Sequence, residues 1–248
     1  ATAYPVARSG YRHGMAASMV HRHRDVQGGT ARAAVFGVSD GLVSNVALIL
    51  GIAGAGTDPS FVRLAGISGL LAGAISMAAG EFVSLKAQAE LVERELEIER
   101  ISIAENPEAE EAELAAIYVE RGLAPDQAGR VAAELMSDPD VALEVHAREE
   151  LGVDPDQLGN PTAAAAASFV AFAVGALVPL VPWLIGSGTS AIWASAISGV
   201  GAAALVGGVL AMLTERSVVR TVVRQLLVAS GACAATYVIG GLVGASVV

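Results

Sequence analysis

The carboxylate of Asp40 lies in the segment GVSDGLVSN and is the only ionisable side chain between Ala33 and Ala55. An ionisable group inside a membrane span costs at least ~2.5 kcal/mol on insertion scales, and such groups usually mark ion or proton pathways. Ser44 and Asn45 follow one helical turn later and add oxygen donors on much the same face. We therefore predict that Asp40 exchanges a proton for a metal ion. A structural hydrogen bond to a neighbouring helix is the alternative.

A second apolar stretch, GAISMAAGEFVS, carries Met77 and Glu81 four residues apart, so that both face the same side of a helix. A thioether sulfur beside a carboxylate combines a soft and a hard ligand, which suits a transition metal better than Mg²⁺ or Ca²⁺. We predict that this pair lines a transport pathway together with Asp40, Ser44 and Asn45. Core filling by Met77 and a water-facing, interfacial position of Glu81 are the plainer alternatives.

A strongly acidic stretch follows these two segments. Between Lys86 and Asn160 there are 20 Asp and Glu residues against 6 Lys and Arg. So many carboxylates repel one another unless cations neutralise their charge. Carboxylates with Met136 and His146 nearby could therefore hold several divalent ions, whereas a solvated acidic helix face is the alternative for most of them. The stretch lacks the Glu-x-x-His, His-x-x-x-His and EF-hand patterns, so it does not resemble a ferritin-type di-iron site.

The composition of the whole chain indicates an integral membrane protein. Its 248 residues are 54% hydrophobic and only 16% charged, whereas a soluble domain carries about 25% charged residues. The single cysteine, Cys233, excludes an intrachain disulfide and a cysteine-based metal cluster. No Walker motif, nucleotide fingerprint or Ser-His-Asp constellation is present. We therefore expect no enzymatic activity, no prosthetic group and no nucleic-acid partner.

Five stretches are long and apolar enough to cross a hydrocarbon core, which takes about 20 residues. They run roughly over residues 33–55, 62–85, 163–186, 190–213 and 221–246. The predicted fold is an all-α membrane protein with five transmembrane helices and a three-helix acidic domain inserted between helices 2 and 3. The predicted divisions are an N-terminal segment 1–32, helices 1–2 in 33–89, the acidic metal-binding domain 90–160 and helices 3–5 in 161–248.

Arginines near the spans predict the orientation, because cytoplasmic loops carry an excess of basic residues. Five arginines lie before the first span, and three lie in or directly after the loop between the fourth and fifth spans, whereas the loop between the first two spans has only Arg63. The N-terminus and the acidic domain are therefore predicted to be cytoplasmic. Arginine outnumbers lysine fourteen to one, which suggests a GC-rich bacterial genome and favours the bacterial plasma membrane over a vacuolar membrane.

Five motifs in the right order make the chain similar to the vacuolar iron transporter family. They are FGVSDGLVSNVALILGIAGAG, ISMAAGEFVSLKAQAE, IYVERGL, AREELGVD and NPTAAAAASFVAFAVGALVPL. The resemblance implies a homodimeric exchanger that moves Fe²⁺, and often Mn²⁺, out of the cytoplasm against protons. It also implies that Asp40 and Met77 line the path at the dimer axis, and it matches Glu81 to the glutamate of the family's GE motif in the second span.

The same resemblance implies metal-binding carboxylates in the acidic domain. These correspond to Glu99, Glu110, Glu113 and Glu150. The chain departs from the family pattern at three positions, since Ser102 stands where a glutamate is expected, and His146 and Ala147 stand where methionines are expected. We predict that His146 is a metal ligand as well.

The sequence therefore predicts a proton-coupled antiporter with Fe²⁺ as its first candidate substrate and Mn²⁺ as its second. In this prediction the acidic domain captures the ion and delivers it to Met77 and Asp40. Two alternatives stay open. One is a manganese exporter on the same scaffold. The other is a membrane-anchored metal buffer or sensor in which the acidic domain binds ions but nothing crosses the membrane.

Overall fold

The computed structural model describes residues 29–154 and 159–247, and these residues form eight helices and no strand. The helices are α1 (Gly29–Gly54), α2 (Pro59–Glu105), α3 (Pro107–Glu120), α4 (Pro125–Met136), α5 (Pro139–Glu149), α6 (Pro161–Ile185), α7 (Gly188–Leu213) and α8 (Val218–Val247). The predicted all-α class is confirmed. Most of the predicted N-terminal segment 1–32, with its histidines His21 and His23, lies outside the described residues.

Five of these helices, α1, α2, α6, α7 and α8, are long and apolar enough to cross a membrane. They coincide with the five spans predicted from the sequence. Helix α2 has 47 residues, so at 1.5 Å per residue it is roughly 70 Å long, more than twice the hydrocarbon thickness. The second span therefore continues without a break into the acidic stretch.

Proline and polar caps define where the helices begin. The side chain of Asp58 accepts a hydrogen bond from the amide of Ser60 at 2.8 Å and caps α2, while Pro59 occupies the first helical position. Both features favour a helix start, because the first amides of a helix lack intrahelical partners. Helices α4 and α5 are separate because Asp138 and Pro139 start a new helix within the sequence SDPD.

Helix α1 occupies the centre of the apolar helices and contacts α2, α6, α7 and α8. Glycines allow the closest approaches. A methyl group at Gly41 would overlap the backbone of Phe172 on α6, and one at Gly240 on α8 would overlap the backbone of Gly51. Small residues at such crossings let helix backbones touch, which is how membrane helices pack without a hydrophobic driving force.

The short helices α3, α4 and α5 pack on one another, and α3 and α5 also contact α2. The buried apolar residues of these helices include Leu114 of α3 and the alanines Ala128, Ala132 and Ala142. Glu99 of α2 and His146 of α5 are also buried there. A carboxylate and an imidazole are thus buried in a region whose other buried residues are apolar.

Candidate functional site

A cleft of about 330 Å³ lies between α1, α2 and α6. It contains four of the five predicted pathway residues, Asp40, Ser44, Asn45 and Met77. The remaining lining residues are Leu48, Gly69, Gly73, Ser76 and Phe172. Asp40 and Ser44 are exposed in the single chain, Met77 is half-buried and Asn45 is buried. The cleft therefore opens at the surface of the apolar helices and is lined by a carboxylate from α1 and a thioether from α2.

The hydroxyl of Ser44 donates a 2.6 Å hydrogen bond to the backbone carbonyl of Asp40. This is a common bond within a helix, and it leaves the lone pairs of the Ser44 oxygen available. The Nδ2 group of Asn45 donates a 2.7 Å hydrogen bond to the carbonyl of Ala176 on α6. The polar wall of the cleft is thus anchored to the helix backbones.

Glu81, the fifth predicted pathway residue, is not among the residues that line the cleft. Its carboxylate accepts a 2.7 Å hydrogen bond from the guanidinium of Arg32 in the first turn of α1. The Glu81 side chain is 12% exposed, and that of Arg32 is 68% exposed. Glu81 lies one helical turn beyond Met77 in the direction of the acidic helices. The ion pair of Glu81 with Arg32 therefore lies between the cleft and those helices.

The acidic helices bring three predicted metal ligands together. One ligand atom from each of Glu99, Glu110 and His146 lies within 4.8 Å of the others. His146 Nδ1 is 3.0 Å from Glu99 Oε1 and 3.6 Å from Glu150 Oε2. Glu150 therefore borders the group. Glu113 is exposed and acts on it through charge, since it raises the pKa values of Glu99 and Glu110.

The closest atoms in this group lack hydrogen bonds. Glu99 Oε1 and both ring nitrogens of His146 are buried and have no hydrogen-bond partner in the described part of the chain. The 3.0 Å contact between them is short enough for an ion pair but does not have hydrogen-bond geometry. Buried polar atoms normally find a partner. Imidazole nitrogen and carboxylate oxygen atoms that converge without bonding each other are suitable ligands for a divalent transition metal.

Burial and mutual repulsion raise the pKa values of two of these carboxyls. Glu99 lies roughly 20 Å along α2 beyond the apolar residues that end at Leu85, and so outside the membrane-spanning part. Desolvation raises the pKa of Glu99, and the charge of Glu150 raises it further, while His146 lowers it. Desolvation also raises the pKa of Glu110, with Glu113 as the next contributor. A cation that enters the group removes this repulsion.

The sequence alone did not identify the partner of Glu81 or the cleft residues Ser76, Gly69 and Gly73. A signal for the glycines was present, since Gly69, Gly73 and Met77 recur every four residues and must face the same side of α2. Of the positions that depart from the family pattern, Ala147 is buried and Ser102 is half-buried. Neither belongs to the group of converging ligand atoms.

The VIT family model matches residues 31–241 of the chain. Vacuolar iron transporter 2 of rice (Oryza sativa subsp. japonica) is 37% identical over 157 residues, which are 63% of this chain and 64% of the rice protein, slightly under two thirds of its length. Vacuolar iron transporter 1 of Eucalyptus grandis is 31% identical over 223 residues, 88% of this chain and 90% of that protein. Vacuolar iron transporter 1 of Arabidopsis thaliana is 34% identical over 158 residues, 64% and 63% of the two chains.

Proposed function

The chain belongs to the VIT family. From this membership we propose that it transports a divalent transition-metal ion across a membrane, with Fe²⁺ as the first candidate substrate and Mn²⁺ as the second. Its named relatives are transporters and not enzymes. Five apolar helices of spanning length make it a multi-pass membrane protein. The observation that carries the proposal is the cleft, because Asp40 and Met77 face it together at the level of the apolar helices.

The cleft supports ion exchange at Asp40. A free carboxylate at membrane depth is unfavourable, and either a proton or a cation can neutralise it. Met77 supplies a soft ligand, which favours a transition metal over Mg²⁺ or Ca²⁺. In this proposal the protein is an antiporter: the ion leaves Asp40 when a proton from the far side replaces it.

The exposure of Asp40 supports a homodimer. In a single chain this carboxylate opens to the surface of the apolar helices, where lipid would surround it. Lipid offers no hydrogen-bond partner, so intramembrane carboxylates almost always face a protein interior or a water-filled cavity. A second copy of the chain over the same face would enclose the cleft and place two copies of Asp40 and Met77 along one pathway.

The acidic helices support capture of the ion before it reaches the cleft. In this proposal residues 90–160 form a cytoplasmic domain, and Glu99, Glu110 and His146 hold the ion with Glu113 and Glu150 beside them. Transport then runs out of the cytoplasm, and in a bacterial host the membrane is the plasma membrane. The basic N-terminal segment and the arginines between the fourth and fifth spans support this orientation.

Flux measurements in proteoliposomes test the proposal. We expect Fe²⁺ or Mn²⁺ transport that accelerates with a proton gradient and disappears in Asp40→Asn, because an amide cannot exchange a proton for a cation. Asp58→Asn is the matched control. It changes the aspartate that caps the N-terminus of α2, outside the cleft, and should retain flux. Flux that ignores the gradient and survives in Asp40→Asn would contradict proton coupling.

A metal buffer or sensor is the second candidate, and the converging atoms of Glu99, Glu110 and His146 favour it because they could bind an ion without the cleft. Metal binding by the wild-type protein with no flux under any gradient would support this candidate. A manganese exporter is a variant of the first proposal, and competition between Fe²⁺ and Mn²⁺ in the same flux assay distinguishes the two.

A further inference from the structure

The amide of Asn45 has one orientation that its surroundings allow. Asn45 is 2% exposed, and its nearest polar group on α6 is the carbonyl of Ala176, at 2.7 Å. A carbonyl only accepts hydrogen bonds, so the amide nitrogen must face it. The carbonyl oxygen of the same side chain, Oδ1, therefore points the other way.

The Oδ1 atom of Asn45 is directed towards the cleft wall formed by α2. It is buried and has no hydrogen-bond partner among residues 29–154 and 159–247. The facing residue of α2 is Gly69, and a methyl group there would come within 2.9 Å of Oδ1. Because glycine has no side chain, no side-chain atom of Gly69 occupies the space beside this oxygen, and Asn45 lines the same cleft as Asp40 and Met77.

An unpartnered buried atom is not a ligand by itself. Ser168 Oγ and Trp183 Nε1 are also buried without a described hydrogen-bond partner, but neither residue lines the cleft. Asn45 differs because its free atom is an acceptor, its amide is fixed by α6, and it shares a cavity with a carboxylate and a thioether. These are the properties of a preorganised ligand.

We propose that Asn45 determines metal specificity in the cleft by supplying a neutral oxygen ligand, which with the Asp40 carboxylate and the Met77 sulfur binds the transported ion. The inference rests on the proposed transport function. Carbonyl and carboxylate oxygens suit Mn²⁺, whereas thioether sulfur suits softer ions and is compatible with Zn²⁺. Loss of the neutral oxygen leaves one oxygen and one sulfur ligand, so binding of Mn²⁺ should weaken more than binding of Zn²⁺.

The test compares Mn²⁺ and Zn²⁺ in Asn45→Leu, which keeps the side-chain volume and removes the oxygen. Flux of each ion is measured in proteoliposomes. Binding of each ion is measured in detergent by thermal stabilisation, in a Glu99→Gln background that weakens the acidic site. We expect the ratio of Mn²⁺ to Zn²⁺ to fall roughly tenfold or more in both measurements, the lower end of losses at perturbed metal sites.

Ser195→Ala is the matched control. Ser195 is fully buried, and its hydroxyl donates a 2.6 Å hydrogen bond to the carbonyl of Pro179, so it also ties a neighbouring helix to α6 but does not line the cleft. Asn45→Asp is the second variant: it keeps an oxygen at the Oδ1 position and loses the donor to Ala176. A ligand role predicts that the metal ratio stays at or above the wild-type value in both variants.

The outcomes separate the inference from the function on which it rests. An unchanged ratio in a folded Asn45→Leu protein, or an equal change in Ser195→Ala, overturns the ligand role of Asn45 while transport stands. If Asn45→Leu does not fold, Asn45→Asp decides, and a loss of the Mn²⁺ preference there also overturns it. Wild-type protein that binds Mn²⁺ through Asn45 but carries no ion overturns transport and leaves the ligand role intact.

Discussion

The guanidinium of Arg32 donates a 2.7 Å hydrogen bond to the carboxylate of Glu81 and joins the first turn of α1 to α2. The bond lies one helical turn from Met77, on the side of the cleft nearest to the acidic helices. On the proposed route, an ion that passes from those helices to the cleft along α2 would meet this pair. We therefore expect Arg32 to compete with the ion for Glu81.

Replacement of Arg32 and replacement of Glu81 should shift the half-saturating metal concentration of transport in opposite directions. Arg32→Gln frees the Glu81 carboxylate, so we expect a lower half-saturating metal concentration, whereas Glu81→Gln should raise it. Flux titrations with Mn²⁺ measure both values. Because Arg32 is 68% exposed, its loss should change the free energy of unfolding by no more than about 1 kcal/mol.

The control for this prediction is Lys86→Gln, which removes an exposed ion pair with Glu90 on the same helix. Its half-saturating concentration should equal that of the wild type. An equal effect of Lys86→Gln and Arg32→Gln would mean that net charge, and not the contact with Glu81, governs ion entry.

Glu99→Gln should weaken metal binding by the acidic helices at least roughly tenfold, because it removes a buried charge from the group with Glu110 and His146. Calorimetric titration with Mn²⁺ in detergent measures the affinity. The control is Glu97→Gln, since Glu97 lies two residues earlier on α2 and is exposed, where it pairs with Arg100. Similar losses in the two variants would indicate diffuse attraction to acidic helices and no defined site.

Metal binding by these helices should weaken as the pH falls. The loss should begin at a pH above the ordinary pKa range of carboxyl groups. Burial raises the pKa of Glu99 and of Glu110 above the ordinary value of 4.5, and Glu150, Glu113 and His146 face them. Protons must leave before a metal binds. We expect the stabilisation by Mn²⁺ to disappear as the pH falls through the raised pKa values.

The metal-free protein should show the opposite trend. The folded state holds protons on these two carboxyls more tightly than the unfolded state does, so their contribution to stability is present below 4.5 and is lost as the pH rises through the raised pKa values. Thermal unfolding with and without Mn²⁺, from below 4.5 to neutrality, measures both trends. The double variant Glu99→Gln and Glu110→Gln should weaken the pH dependence of stability both with and without Mn²⁺. Unchanged curves would contradict the assignment of these trends to the two carboxyls.

Gly41→Ala should destabilise the protein and impair transport together. The added methyl group overlaps the backbone of Phe172, which lines the cleft, and overpacking of this kind costs about 1–3 kcal/mol. Gly201→Ala on α7 is the control, because nothing in the described structure lies within 4 Å of the added carbon. That variant should be neutral or more stable by about 0.5–1 kcal/mol. Thermal unfolding in detergent and flux measure the two effects.

The helices could be predicted because their signals are local: apolar runs of spanning length, and prolines and glycines at the ends of the acidic helices. The meeting of Asp40 with Met77 followed from the family resemblance. The bond between Asn45 and Ala176 could not be predicted, since it joins residues far apart in the chain. The same holds for the partner of Glu81, because pattern and propensity carry no information about which side chains meet across helices. Burial of His146 depends likewise on how α5 packs against α2.

Helix α2 carries both Met77 and Glu99 without interruption. Their separation is close to six whole turns, so the two side chains share one stripe of the helix about 33 Å apart. Removing one residue between them would rotate one by about 100° relative to the other and shift it by only 1.5 Å. The angular phase of α2, far more than its length, therefore keeps the two ends of the proposed ion route on the same side of the helix.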